Sequence, residues 1–341
     1  MNNSAKSCLK QPNKTRLLYI VGFVSLALAV AVGLSLGSTR LIFSDILKDL
    51  ASGTRLSEST LIMFYVRLPR ILSSLVCGAA LAVSGAIIQG VLSNKLASPS
   101  IIGVNSGAGL AVTLCTALGL YGGWQLSFFS FVGAFVTVTL VTAGARRWNA
   151  SRGTVILMGV AVNSLLGAIS DTIVTFIPTV SIISNDFKIG EFSSVTYARL
   201  IPAALVILVT IIASLTLTTQ LDVLSLGEDT ARSLGMNTTA MRTVFLLLAA
   251  LLAGCAVSLA GLLSFVGLIV PHAIRRLSGS KSSHLVALCA IFGASFVSLC
   301  DTAARTAFAP YEIPVGIIMA FLGAPFFVFI LIKGKGGHTD D

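Results

Sequence analysis

Nine long runs almost free of charge dominate this chain of 341 residues, at about 18–37, 71–92, 101–120, 124–144, 154–177, 200–219, 243–271, 285–300 and 313–332. A helix needs roughly 20 apolar residues to cross the hydrocarbon core of a bilayer, and most of these runs approach that length. In lipid every backbone N–H and C=O must be satisfied within the protein, which makes helices the structure for such runs. Hydrophobic residues make up 55% of the chain and charged residues 11%. A soluble domain carries roughly 25% charged residues. The sequence is therefore that of an all-α polytopic membrane protein, and no soluble domain fits between the runs.

The run from Met241 to Pro271 decides how many crossings there are. As one helix its 31 residues would be about 46 Å long, against a core of about 30 Å. Arg232 precedes it, Arg242 stands at its very start, and Arg275, Arg276 and Lys281 follow it, so two crossings keep both basic clusters on one side. The positive-inside bias thus predicts a full helix, a break near Gly261, and a short helix stopped by Pro271. The total is about ten spans with both termini cytoplasmic. This arrangement puts 15 of the 23 Lys and Arg inside and 8 outside, and 5 of the 13 acids inside, so the formal charge of +10 falls entirely on the inner face. No nucleic-acid partner is needed to explain it. The first run is expected to be a retained helix rather than a signal peptide, because its apolar stretch is long and no small-x-small cleavage site is clear. Residues 1–17 and 333–341 are expected to be cytoplasmic tails flanking one membrane domain, 18–332.

Small residues mark where helices approach one another: Gly78, Ala82, Gly85 and Gly90 in the second run, Gly103, Gly107 and Gly109 in the third. In lipid, helices associate through close backbone approach, which small side chains permit. By itself this indicates a multi-helix bundle. The link Ser93-Asn94-Lys95-Leu96-Ala97-Ser98-Pro99-Ser100 is short, with a helix-breaking proline and serines suited to capping. Between spans six and seven, residues 222–235 read as a short helix that starts near Leu226 or Gly227. Glu228 and Asp229 lie in its first turn, Arg232 towards its end, and Gly235 at its C-terminal cap. So short a helix is marginal alone in water, so it leans on the bundle as a linker or on a partner.

Arg67 and Arg70 flank Pro69 at the mouth of the second run, a charged rim on a small-residue helix. Asp301 and Arg305 are helix neighbours four residues apart at the outer end of span nine, and Glu312 and Pro314 open span ten. Asp171, inside span five, is the one residue placed to serve as an intramembrane proton relay, but it has no acidic or basic neighbour in sequence, which argues against proton coupling. The six cysteines lack CxxC spacing and His partners, which suits small core residues. There is no GxxxxGK[ST] phosphate loop, HExxH or GxSxG pattern, and the histidines are isolated. No cofactor or metal site and no catalytic constellation is expected. Any energy for transport comes from elsewhere.

Several blocks closely resemble the permease family of ABC importers for iron chelates (siderophores and haem) and cobalamin, the FecCD type. They are Arg67-Leu68-Pro69-Arg70, Gly78 to Ala82, Ser84-Gly85-Ala86, Gln89, Asn94, Leu96-Ala97, Pro99, Gly103-Val104 and Ser106-Gly107-Ala108; then Leu226-Gly227-Glu228, Ala231, Leu234-Gly235, Phe265 to His272 with Arg275, Asp301, Arg305, Glu312 to Gly316 and Gly323 to Phe327. They run in the family's order over about residues 60–332. The resemblance implies a type II importer architecture of ten helices in a bacterial cell membrane. It also implies a second permease, identical or homologous, two separate ATPase subunits, and an extracytoplasmic binding protein that delivers an iron chelate. Residue by residue, Arg67, Arg70 and Arg305 match outer-face arginines that receive the binding protein's acidic groups. Leu226, Gly227, Glu228, Ala231, Leu234 and Gly235, within about 224–236, match the coupling helix that rests on the ATPase. Gly78, Gly85, Gln89, Asn94, Pro99, Gly103, Gly107, Gly267 and Pro271 fall in blocks expected to pack helices and line the pathway. A siderophore is the commoner cargo of the family, with haem or cobalamin as alternatives.

Some stretches depart from the family. The segment between spans five and six reads Phe187 to Phe192 where Trp-Gly-Ser-Leu is usual, and Gly261-Leu262-Leu263-Ser264 stands for Gly-Pro-Ile-Gly. These bear on gating and cargo. An ion-coupled secondary transporter would call for paired intramembrane charges or an inverted repeat, and neither is evident. An intramembrane enzyme would need a nucleophile with its base.

Overall fold

The computed structural model describes residues 11–37, 39, 42, 45–46, 49, 57–148, 150–279 and 281–335; the ends of both expected tails, and Cys8, lie outside them. The described residues form helices α1 (Gln11–Ser35), α2 (Glu58–Val91), α3 (Val104–Ala117), α4 (Gly123–Arg147), α5 (Arg152–Phe176), α6 (Ser181–Ile189), α7 (Tyr197–Thr216), α8 (Thr218–Ser225), α9 (Glu228–Ser233), α10 (Thr238–Ala260), α11 (Val266–Ser278), α12 (Ser282–Thr306) and α13 (Val315–Lys335), with no strand among them. The membrane bundle is α1–α5, α7 and α10–α13. Seven of these ten are long and apolar enough to span a bilayer; α3, α11 and the apolar part of α13 are shorter. The third run, read as a crossing over 101–120, yields only 14 helical residues, because Gly103 starts α3 late and the chain before it runs as turns.

Helix α2 is the axis of the bundle, packed between α10 and α12 with α11 against it. Its most apolar window is 78% buried, whereas that of α5 is 17% buried, so α5 lies at the periphery of the chain. Backbone contact explains the glycines. A Cβ on Gly85 would lie 1.9 Å from the Gly267 carbonyl of α11, one on Gly78 2.2 Å from that of Gly293 in α12, and one on Gly107 2.4 Å from that of Gly133 in α4. Only a missing side chain allows such crossings.

The second run is longer than its apolar part predicts. Its helix starts at Glu58, and Arg67 and Arg70 lie inside it rather than on a loop at its mouth. Residues Met63–Arg67 form a π turn, in which the Leu68 N–H reaches back five residues to the Met63 carbonyl. The next bond of that pattern would come from Pro69, which has no N–H to give. The Phe64 carbonyl accepts from the Tyr197 hydroxyl at 2.7 Å instead.

The long run at 241–271 breaks where expected. Helix α10 ends at Ala260, and Gly261 turns the chain at φ +71°. Pro271, however, does not stop the helix that follows. It is the sixth residue of α11, which continues to Ser278. A proline inside a helix strands the carbonyl four residues back. That carbonyl, on Gly267, accepts from Gln89 Nε2 at 3.1 Å, so the helix survives. The serines of the 93–100 link do not cap α3 either; Gly103, at φ +101°, holds that position without a side-chain bond.

Hydrogen bonds sort the helix ends into two groups. At one end Arg152 donates to Ser93 Oγ and, at 3.0 Å, to the Leu224 carbonyl; Asp222 accepts the Ser282 N–H at 2.8 Å; and Tyr19 meets His284 at 3.2 Å. At the other, the Leu262 N–H donates to the Phe187 carbonyl, Glu191 N–H to Ala260 and Gly316 N–H to Gly190. The first end carries Lys95, Arg146, Arg147, Arg152, Arg232, Arg242, Arg275, Arg276 and Lys281, and is termed the basic end. The second mixes arginines with acids. The link between α10 and α11 lies at the mixed end, as two crossings in that run require.

Candidate functional site

Three arginines, two from α2 and one from α12, converge at the mixed end. Arg70 makes a forked pair with Asp301, Nη2 to Oδ1 at 3.0 Å and Nε to both oxygens at 3.1 Å, and its Nη1 reaches Glu312 at 2.6 Å. Arg305 lies 3.5 Å from the other oxygen of Asp301 and donates to the Gly33 carbonyl at 2.8 Å. Arg67 donates to the carbonyls of Leu34, at 2.7 Å, Ser35 and Thr39. Gly33, Leu34 and Ser35 are the last residues of α1. Their carbonyls have no partner within the helix, and a cation there complements the negative end of its dipole. The arginine cluster thus ties α1, α2, α12 and the approach to α13 into one unit. The i, i+4 pair of Asp301 and Arg305 is present, and the charged groups expected at this rim are buried in it. Arg67, Arg70 and Arg305 are 3%, 7% and 3% exposed, because desolvated guanidinium groups take up the carbonyls and carboxylates around them. Just outside, Asp49 accepts from the Ser57 N–H and the Thr60 hydroxyl, and its hydrogen bonds with Ser57 lead in holding its carboxyl below the usual range.

At the basic end, α9 occupies the position expected for the short helix. Gly227 precedes it, Glu228 and Asp229 open it, and Gly235, at φ +81°, closes it beyond Leu234. Ala231 is fully buried against the bundle, whereas Leu226 and Leu234 are each 65% exposed. Glu228 is the hub that fixes the helix: Arg232 pairs with it at 2.7 Å, Arg242 of α10 at 3.9 Å, and Thr238 Oγ1 lies 3.5 Å away. Two large apolar side chains are therefore exposed at the two ends of a helix held to the bundle, on a segment outside the membrane helices.

Between the ends, a cavity of about 270 Å³ is bounded by the 96–101 link, Asn105, Leu263 to Leu268 and Phe327. Pro99 and Gly267 both border it, so the expected pathway residues of the two blocks do meet. Gly103 touches Thr137, and Asn94 bonds its own link, accepting the Leu96 N–H at 2.9 Å. A second cavity of about 250 Å³ at the basic end is lined by Gln89, Ser93, Lys95, Ser225, Arg275 and Ser282.

Several organising residues carried no sequence signal beyond being polar in an apolar run. Asn163 of α5 donates to the carbonyls of Ser100 and Ile101 and accepts from Ser106, clamping the link before α3. Arg199 donates to the carbonyls of Ser258 and Leu259 at the end of α10 and to Ser127 of α4. Asp171, the proton-relay candidate, faces Lys188 at 3.3 Å, a partner 17 residues away that no local pattern indicated. Five cysteines are free and buried. Among the described residues no group of three or more His, Cys, Asp or Glu could hold a metal ion.

A ten-helix bundle with this short external helix is the architecture of an ABC importer permease. A solved structure described as an inward-facing ABC transporter of metal-chelate type superposes with a TM-score of 0.81 at 29% identity, covering 93% of this chain and 99% of that one. A chain of PsaBC from Streptococcus pneumoniae, 19% identical with a TM-score of 0.57, shares the fold over 84% of this chain and 95% of its own. The chain belongs to the FecCD transport family, whose model matches residues 25–333. Curated relatives include the uncharacterized ABC transporter permease protein YvrB of Bacillus subtilis, 35% identical over 96% of this chain and 97% of that one. The hemin transport system permease protein HmuU of Yersinia pestis is 35% identical over 79% and 83%. The vitamin B12 import system permease protein BtuC of Yersinia pseudotuberculosis is 35% identical over 82% and 84%.

Proposed function

We propose that this chain and a second permease, identical or homologous, form the membrane pathway of an importer that carries an iron chelate into a bacterial cell. In this reading the basic end faces the cytoplasm, in keeping with the positive-inside bias. Two ATPase subunits dock there on α9, and ATP is hydrolysed by those subunits rather than by this chain. A binding protein delivers the cargo at the mixed end. The observation that carries the proposal is the pair Leu226 and Leu234, exposed at the two ends of a helix that Ala231 and Glu228 hold to the bundle. Such a helix passes a rigid-body movement of its partner into α10. Leu226→Asp with Leu234→Asp is expected to cut ATPase association and ATP-driven uptake more than tenfold while the permease still reaches the membrane. Wild-type association would remove this assignment.

Docking of the binding protein is proposed at the mouth braced by Arg67, Arg70 and Arg305. Arg70 pairs there with Asp301 and Glu312 and Arg305 with Asp301, whereas Arg67 is held by backbone carbonyls and pairs with no carboxylate among the described residues, which supports a role for its charge towards a partner's acids. Because these arginines are buried, they act chiefly by holding the mouth in shape. Arg67→Glu with Arg70→Glu is expected to weaken capture of the loaded binding protein.

A ferric siderophore is the leading cargo on the family resemblance; haem and cobalamin are supported by the names of HmuU and BtuC. Affinity of the cognate binding protein measured across ferric siderophores, haem and cobalamin selects among them. An ion-coupled transporter of the same shape is separated by uptake in vesicles, which on the present reading requires ATP and the ATPase and survives collapse of the proton gradient.

A further inference from the structure

We infer that Gln89 is a positioning residue that stands in for the amide proton missing at Pro271, clasping α11 to α2 so that the two helices move as one body during transport. The inference rests on the reading of the chain as an ABC permease. Its basis is three observations that meet at one carbonyl. Pro271 lies inside α11 and cannot donate to the Gly267 carbonyl one turn before it. Gln89 Nε2 donates to that same carbonyl at 3.1 Å, and the side chain is 2% exposed. Gly85, one turn before Gln89 in α2, lies against Gly267 so closely that no Cβ fits between them. The glycine contact brings the backbones together, and the amide then reaches across where the helix has lost its own bond.

The substitution of a long-range bond for a local one has a mechanical consequence. An ordinary helix keeps its i to i−4 bond whatever its neighbours do, but α11 at Gly267 keeps its carbonyl satisfied only while α2 is beside it. Separation of α2 from α11 would strand a buried carbonyl and a buried amide together. The other atom of the amide, Gln89 Oε1, accepts no hydrogen bond from the protein. The donor is therefore the half of the side chain that holds the helices.

The test uses the complete complex with its ATPase in lipid nanodiscs, with nitroxide labels at Ser93, beyond the end of α2, and Leu277, near the end of α11. In the wild-type chain the distance distribution between the labels is expected to stay single and narrow as ATP is added. Gln89→Met, similar in length but without a donor, is expected to broaden or shift it by more than about 3 Å, well above the sub-ångström motion of packed helices. Adding Pro271→Ala to Gln89→Met restores an N–H that can bond Gly267 within α11, and is expected to return the narrow distribution and the ATP-driven turnover per folded molecule. A narrow distribution in Gln89→Met throughout the ATP cycle, or failure of Pro271→Ala to rescue it, overturns the clasp. A purely structural role would lower the yield of folded complex and leave turnover per molecule unchanged, which also overturns it. A second label pair between the two permeases monitors the cycle itself: if ATP moves nothing in the wild type, the importer reading fails, whatever the clasp does.

Discussion

Asp301→Ala is expected to destabilise the permease by about 3–5 kcal/mol, the range for removing one partner of a buried charge network. Asp301 is 1% exposed and is the acceptor common to Arg70 and Arg305, so its loss leaves two buried guanidinium groups around Glu312 alone. The effect should appear as a large fall in the thermal midpoint in detergent, with α1 loosening first, because Arg305 also holds the Gly33 carbonyl. Arg70→Ala combined with Asp301→Ala should cost less than the two changes summed, since each single variant strands the other's charge. A fall below about 1 kcal/mol for Asp301→Ala, typical of an exposed pair, would refute the buried network.

Gly85→Val is expected to abolish folded protein, and Gly85→Ala to destabilise by about 3 kcal/mol or more, at or above the upper end for overpacking. The obstructing atom is the Gly267 carbonyl oxygen, 1.9 Å from the new Cβ, and no side-chain rotation relieves a clash with backbone. Helix α11 would have to withdraw from α2, which also breaks the Gln89 bond. Gly109→Ala is the matched control: it too lies in a membrane helix, but no neighbour comes within 4 Å of its Cβ. That change is expected to be neutral or to stabilise by up to about 1 kcal/mol, through helix propensity alone. Size-exclusion yield and thermal midpoint of the two variants, side by side, separate the crossing from any general intolerance of glycine replacement.

Much of the architecture was legible because the bilayer imposes a strict length rule. The nine apolar runs and the basic residues on either side of 241–271 led to ten spans, and the break at Gly261 follows from a run too long for one crossing. The short helix at 228–233 was equally legible, since its acids, its Arg232 and its closing glycine are local signals. The candidate sites were legible as places more than as contacts. Arg67, Arg70 and Arg305 do gather at one end, and their burial was not legible because their acceptors come from α1 and from residues more than two hundred positions away.

Pro271 illustrates the same division. By itself, the sequence determined that the chain is a ten-helix membrane protein with a short external helix, since hydropathy, charge bias and capping act over a few residues or one bilayer thickness. Only the tertiary structure decided that α11 runs on past its proline, that the arginines of the mixed end are a buried brace, and that Asp171 has Lys188 for a neighbour. Each of these depends on a hydrogen bond or charge supplied by a distant segment. A local rule gives the cost of such a group standing alone, but the three-dimensional packing decides whether it does.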